Sequence, residues 1–509
     1  MRKLALHPFI FSVYPILALF VVNIREIDPA VIYRSLIISF TACVLLFIFG
    51  RFLVQSWYKS GIVVSFFLLL FFTYGHLYHY LESSISLRGL GHHRILISIY
   101  ALIFIAGTYL IIRKLREPKT TTYLLNIISV GLILFSILQI VNFKLRDIQE
   151  GKKAVESSSD SLLLNPVDKT NLPDIYYIVL DMYTREDVLQ KDYGFDNSEF
   201  LLFLKAEGFY VAECSRSNHS ETSTSISTTL NLDDIEKIKA QSGGALPEGQ
   251  YSLLKHSLVR NQLKNLGYRI VAFETGYKWS QLEDADIYLS PGRNSLTLQS
   301  LNPFEFMLVD STALMIFREY QIREQINALT SINHPWREHI ELQLFNLSKL
   351  KEIPNLSGPK FVFAHILIPH IPFVFAADGT FQTDSGFWDG KYSWPINDDY
   401  FREGYIGQIQ FINNQMKVII SSILKTSERE PIIVIMGDHG VASQNRNKIL
   451  NAYYFPDHDY SRLYPGITPV NSFRIIFDQY YGSHFGKTDD LSYYRKEISL
   501  EDSPSCRQP

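Results

Sequence analysis

Cysteine is almost missing from this chain, with three residues in 509, at positions 43, 214 and 506. They lie far apart and none falls in a C-x-x-C or C-x-H spacing, which argues against a disulfide framework and against a thiolate zinc site. Charge is scarce too, at 19% of residues, below the roughly 25% of an ordinary soluble chain. A net charge of −3 supplies no global positive field for a polyanion, so nucleic acid is not an expected partner. No self-similarity at a period of roughly 20–50 residues is apparent, which removes the repeat architectures. What is abundant is apolar: 47% hydrophobic and 14% aromatic residues, including 30 Tyr and 35 Phe, exclude disorder and fibrous folds. At about 150 residues per domain, a chain of this length is expected to be divided.

The first division lies in the N-terminal third. Five apolar stretches, at 8–24, 35–50, 60–81, 95–112 and 121–143, follow one another, most near the ~17–25 residues of a spanning helix. Charges bound them: Arg34 and Arg51, Lys59 and Glu82, Arg94 and Arg113, then Lys144, placed to snorkel toward headgroups. Pro8 and Pro15 interrupt the first stretch and the second is short, both tolerable in lipid. No small-residue cleavage site follows the first stretch, against a signal peptide. The basic cluster at 113–119 biases the inner loops, so an N-terminus inside and an odd number of spans carry everything after residue 143 out of the cytoplasm. The expected organisation is a transmembrane region at 1–145, a polar serine-rich linker at 146–172, a catalytic domain at 173–490 and a tail at 491–509.

From residue 173 short β-rich runs alternate with helical stretches. DIYYIVLD, GFYVAE, YRIVAFE, KFVFAHIL and PIIVIMGD read as strands buried on both faces, and 197–207 and 403–425 carry apolar residues at helical spacing. The fold class is therefore α/β, a mostly parallel sheet with helices on both faces behind a five-helix membrane region. Residues 284–356 have no clear place in the alternation and read as an insertion beside the substrate site.

Two strands end in acids, IYYIVLDMY at Asp181 and IIVIMGDHG at Asp438 and His439. Ligands of open α/β sheets bind at the carboxyl ends of strands, and two carboxylates with an imidazole suit Mn²⁺, Mg²⁺ or Zn²⁺. A strand-ending Asp can equally be only a helix cap. Between these strands lies SNHSETSTSISTTLN at 217–231, which reads either as a hydroxyl-rich helix start or as the source of a nucleophile. A hydroxyl at a helix N-terminus beside a metal would attack a phosphoryl group, with both helix and cation favouring the anion. His76, His79, His92 and His93 read as interfacial histidines among tyrosines, or as lipid-headgroup contacts.

In order along the chain, PDIYYIVLDMY, SNHSETSTSISTTLNL, AHILIPHIPF, MGDHG and PVNSFR, behind five spans, resemble the alkaline phosphatase/sulfatase superfamily. The likeness is to its membrane-anchored branch of lipoteichoic acid synthases and phosphoethanolamine transferases. Matching TTLN at 228–231 to the family's Ser-Ser-Leu-Asn ending implies Thr222 as nucleophile, with Ser220, Ser223 and Thr224 as near alternatives. The resemblance implies Asp181, Thr222, Asp438 and His439 as ligands of a divalent metal, and His370 in PHIPF as a contact to the transferred group. His365 and Arg474 are added as substrate contacts, against a core histidine and a structural salt bridge.

Two departures matter. A formylglycine sulfatase needs Pro two and Arg four residues after its Cys, whereas Cys214 is followed by Arg216 and Asn218. Asp-His-Gly continues here with Val441, not the acidic residue common in the transferases, so donor and acceptor do not carry over. The expected activity is metal-dependent phosphoryl transfer or phosphodiester hydrolysis through a phosphothreonine. The enzyme would sit in the bacterial cytoplasmic membrane, taking its group from a phospholipid or lipid-linked donor and passing it to an envelope glycan or lipid. The alternatives are a catalytically silent glycan- or partner-binding module and, less favoured for want of paired intramembrane charges, a transporter.

Overall fold

A computed structural model describes residues 4–24, 27, 29–83, 93–159, 164, 172–241, 250–277, 280–292, 302–316, 336–388, 399–441, 445–494, 497–498 and 506. The chain forms two compact units, Met1–Leu145 with Asn294–Trp336, and Arg146–Arg293 with Arg337–Pro509.

The first unit contains α1 (His7–Val22), α2 (Tyr33–Val54), α3 (Trp57–Ser83), α4 (His93–Arg113) and the start of α5 (Pro118–Ser159). Among the described residues four helical segments, Pro29–Val54, Trp57–Leu81, His93–Arg113 and Pro118–Arg146, are long and apolar enough to cross a membrane. The second of the expected spans is thus a full-length helix rather than a short one. α1, at 16 residues, reaches only about 24 Å, short of the ~30 Å hydrocarbon core. Its first amides are satisfied from α5, where the buried Asn126 Oδ1 accepts from Leu6 N at 3.0 Å and His7 N at 2.9 Å. Such internal pairing is what an apolar surrounding demands of a helix end. Large apolar side chains such as Phe49, Phe52 and Leu53 of α2 point outward, as lipid-facing residues do.

Of the stretch read as an insertion, the described residues 302–316 group with the membrane helices rather than with the sheet domain. The Pro303–Ser311 helix begins with a reciprocal cap between Asn302 and Glu305. Glu305 also pairs with Arg34, whose Nε lies 2.6 Å from Oε1, both side chains buried. Arg34 is therefore a packed ion-pair partner and not a snorkelling flank. At the other end of this helix Asp310 and Ser311 lie so close to Gly75 of α3 that a Cβ there would collide with their backbone. His79 Nε2 sits 3.0 Å from Asp310 Oδ2, and the His93 ring stacks on Tyr78 at 4.2 Å. His92 lies outside the described residues.

α5 continues without a break to Ser159, so the start of the segment read as linker is helical. The main sheet of the second unit has seven strands among the described residues: β1 (Ile175–Leu180), β2 (Tyr210–Val211), β3 (Arg269–Phe273), β4 (Ile287–Leu289), β5 (Lys360–Ile366), β6 (Ile432–Gly437) and β7 (Asn451–Tyr454). Their order is β2-β7-β6-β1-β5-β3-β4. β6, β1, β5, β3 and β4 run parallel, and β7 pairs antiparallel with both β6 and β2. The continuous apolar runs of β1, β5 and β6 are buried along their whole length, as helices on both faces require. Ile175, Tyr177 and Val179 pack with Ile226 and Leu230 of the Thr222–Asn231 helix and Phe473 of the Ser472–Tyr480 helix. The Arg337–Glu352 helix, which the sequence pattern left without a place, precedes β5 and is fastened near its end by Gln343 Oε1, which accepts from Leu367 N at 3.0 Å.

Cys214 and Cys506 are joined in a disulfide across 292 residues of sequence, which corrects the expectation drawn from their spacing. Sequence distance says nothing about approach in space. Cys43 is buried and free.

Candidate active site

Parallel register brings the two strand-ending acids together. Leu180 of β1 pairs with Gly437 of β6, so Asp181 and Asp438, one residue further on, emerge side by side on strands about 4.8 Å apart. On the other side of β1, Val179 pairs with His365 of β5. Three adjacent central strands thus deliver Asp438, Asp181 and His365, whose ligand atoms all lie within 4.8 Å of one another. All three are buried, with His365 and Asp438 fully inaccessible.

The backbone between them is held under constraint. Met182 follows Asp181 with φ +66°, a left-handed conformation that costs a side-chain-bearing residue about 1 kcal/mol or more. That turn lets Met182 N donate to Asp438 Oδ1 at 2.9 Å, while Tyr405 Oη donates to Met182 O at 2.8 Å. Gly437 is required at the end of β6, because a Cβ there would collide with Tyr183 O.

The hydroxyl-rich run forms the Thr222–Asn231 helix, with Thr222 at its first position. Most of the run's hydroxyls are internal: Ser225 Oγ donates to Asp438 O at 2.7 Å, and Thr228 and Thr229 bond back to earlier carbonyls. Thr222 is half-buried and its Oγ1 lies 3.0 Å from His439 Nε2. That nitrogen is also 3.5 Å from Asp438 Oδ2 and 3.7 Å from Asp181 Oδ1. His439 Nδ1 lies 2.8 Å from Gly440 O, an acceptor only, so Nδ1 carries the proton and Nε2 presents a lone pair. The same logic applies to His370, whose Nδ1 is 2.7 Å from Ile371 O and whose ring centre is 6.4 Å from that of His439.

Burial pushes the Asp181 carboxyl upward, but the surrounding His370, His365 and His439 outweigh that and hold it well below the usual carboxylate range. Asp181 Oδ1 and Asp438 Oδ2 are buried with no hydrogen-bond donor among the described residues. Two desolvated anionic oxygens without donors are expensive, and a divalent cation is the partner that relieves both. The residues present therefore fit a metal.

Every site residue expected from the sequence except Arg474 falls in this constellation. Arg474 Nε donates to Leu232 O at 2.6 Å and Nη1 to Phe485 O and Gly486 O at 3.0 and 3.1 Å. It caps the far end of the Thr222–Asn231 helix, about 15 Å of helix from Thr222, and is not brought together with the other expected residues. His365, read as a substrate contact, stands instead among the metal-disposed atoms, its Nε2 3.3 Å from Asp181 Oδ2. Arg446 was not singled out by the sequence reading. Its Nε donates to Ser220 O at 2.7 Å and its Nη2 lies 3.3 Å from His439 Nε2. It lies in an unpatterned polar stretch, QNRNK, where a single charge gives no signal.

Fold and site together define an α/β domain with a carboxylate–histidine–hydroxyl centre at the carboxyl ends of its central strands. No protein-family model matches the sequence, and no curated protein matches it. Among solved structures the chain is similar to the C-terminal periplasmic domain of EptC from Escherichia coli in complex with zinc. That similarity has 12% identity and a TM-score of 0.43 and covers 66% of this chain and 95% of that one. The C-terminal periplasmic domain of the phosphoethanolamine transferase EptC from Campylobacter jejuni is similar at 11% identity and a TM-score of 0.35, over 61% and 89% of the two chains. The integral membrane lipooligosaccharide phosphoethanolamine transferase A from Neisseria meningitidis matches over 93% of this chain and 90% of its own, at 11% identity and a TM-score of 0.36.

Proposed function

We propose that this protein is a membrane-anchored, metal-dependent phosphoryl-group transferase or phosphodiester hydrolase that works through a phosphothreonine at Thr222. The observation that carries the reading is the placement of the Thr222 hydroxyl at a helix N-terminus, 3.0 Å from the bare nitrogen of His439 and beside two buried carboxylates. Asp181, Asp438, His439 and Thr222 would hold the cation, with His365 against Asp181. A bound divalent cation would favour the Thr222 alkoxide and offset charge on the phosphoryl oxygens.

The chain's own groups account for the rest. Thr222 Oγ1 forms a bond to phosphorus as the bond to the leaving oxygen breaks, and the helix amides receive the non-bridging oxygens. His370, whose ring centre lies 6.4 Å from that of His439, would contact the transferred group. An acceptor hydroxyl or water then attacks phosphorus and the bond to Thr222 breaks. Cys214 is tied up with Cys506, which leaves it unavailable for formylglycine chemistry.

An external location for the second unit is supported by that disulfide, because such bonds persist in oxidising compartments. The four long apolar helices support the anchor, and with the N-terminus inside, an external second unit requires the shorter α1 as a fifth crossing. The donor is a phospholipid or lipid-linked group, and the acceptor an envelope glycan or lipid. Detergent-solubilised protein with Mn²⁺, Mg²⁺ or Zn²⁺ is expected to cleave bis(p-nitrophenyl) phosphate, Thr222→Ala to lose that cleavage and Thr222→Ser to retain part of it. Full activity in Thr222→Ala would place the nucleophile elsewhere.

A further inference from the structure

We propose that Arg446 grips a non-bridging oxygen of the phosphoryl group under attack and so selects anionic phosphoesters. The inference rests on the phosphoryl-transfer reading above and adds to it a fixed positive charge supplied by the chain itself.

Three observations place the guanidinium there. Arg446 Nη2 and Thr222 Oγ1 approach the same atom, His439 Nε2, at 3.3 and 3.0 Å. They therefore lie no more than about 6 Å apart, a gap that a phosphorus in near-attack contact with the hydroxyl, plus one non-bridging oxygen, fills. Nε is committed to Ser220 O at 2.7 Å, which fixes the plane of the guanidinium against the entry to the Thr222–Asn231 helix. Among the described residues no carboxylate pairs with Arg446, so its charge is not spent on a salt bridge. The single Nε2 lone pair takes one good partner, and when the hydroxyl or a cation occupies it the Nη2 donors face the space where an oxyanion would sit.

From Arg446 to Lys448 the backbone is tied down by hydrogen bonds. Gly440 N donates to Arg446 O, and Ser217 N to Asn447 O at 2.7 Å. The Asn447 amide bridges Ser217 O and Tyr493 O at 3.0 and 3.2 Å. Lys448 O accepts from Arg185 N at 3.2 Å and Thr184 Oγ1 at 2.9 Å. A fork held this firmly costs little reorganisation on binding, which is the condition for electrostatic stabilisation of a developing charge. Arg446 makes and breaks no covalent bond and transfers no proton in this role.

R446A and R446K in the full-length chain test it, with inorganic phosphate as probe. Phosphate affinity is measured by calorimetry with and without Mn²⁺, alongside bis(p-nitrophenyl) phosphate cleavage, bound metal and the thermal midpoint. R446A is expected to bind phosphate at least about tenfold more weakly and to lose about 10²–10³-fold in kcat/KM, with metal content and midpoint unchanged. Added guanidinium should restore part of the lost rate, and R446K should recover less than a fork would, since an ammonium donates from one nitrogen where Arg446 uses Nε for Ser220 O and Nη2 for the oxyanion. Equal phosphate affinity in wild type and R446A overturns the proposal, as does wild-type protein that binds no phosphate. Loss of activity accompanied by lost metal or a lowered midpoint also overturns it, by making Arg446 a support for His439. Wild-type protein inert toward the diester but losing phosphate binding in R446A would sink the enzymatic reading and leave the clamp standing.

Discussion

Asp438→Asn separates a carboxylate kept for a cation from one kept for the fold. Asp438 is fully buried, Oδ1 accepts from Met182 N at 2.9 Å, and Oδ2 lies without a donor in the cluster shared with Asp181. Two carboxylates with oxygens within 4.8 Å repel by roughly 3 kcal/mol at an effective dielectric of about 20, a cost the neighbouring histidines only partly offset. The amide keeps the acceptor for Met182 and replaces the unpaired oxygen with a donor for Asp181. The metal-free variant is therefore expected to melt no lower than metal-free wild type. Wild type at a cation concentration about a thousandfold above Kd should gain about 4 kcal/mol. At roughly 2 °C per kcal/mol for a domain of this size, its midpoint should rise by about 8 °C. In Asp438→Asn that rise should vanish, and diester cleavage should fall on the order of 10³-fold. Differential scanning fluorimetry of the full-length chain in detergent, in EDTA and then in Mn²⁺ or Zn²⁺, reads both effects. A variant that melts lower without metal, or that keeps the wild-type rise with it, would refute the argument that this carboxylate is held for a cation.

Arg34→Met, which strands Glu305 in a buried position, should cost about 3–5 kcal/mol in denaturant titration, and Arg34→Met with Glu305→Met should recover most of it. Burial, partly countered by Asp234, lowers the pKa of His219 to about 4, against 6.5 in the unfolded chain, so the unfolded state binds the extra proton between these values. The resulting stability is fully present above pH 6.5 and lost as pH falls toward 4, about 3 kcal/mol in all, and His219→Gln should flatten the stability slope across that window. A reporter fused after residue 509 should be active as periplasmic alkaline phosphatase and dark as a fluorescent protein that folds only in the cytoplasm. The opposite pattern would return the second unit to the cytoplasm.

The strands that build the site were legible because burial on both faces leaves a continuous apolar run, and β1, β5 and β6 each stand out in the sequence. Their polar endings, Asp181 and the Asp438-His439 pair, were legible for the same reason, since an acid directly after such a run marks the edge of the sheet where ligands bind. The spans were legible because a bilayer sets a minimum apolar length. Contacts across long sequence distances were not. The seating of the Pro303–Ser311 helix with the membrane helices depends on a buried Arg34–Glu305 pair 271 residues apart, which no periodicity announces. The Cys214–Cys506 disulfide depends on the path of the C-terminal tail. Arg474 and Arg446 look alike as isolated arginines in the sequence. Only the tertiary structure sends one to the carbonyls at the far end of the Thr222–Asn231 helix and the other to its N-terminus, because a side chain's partners are set by how elements pack and not by the residues beside it.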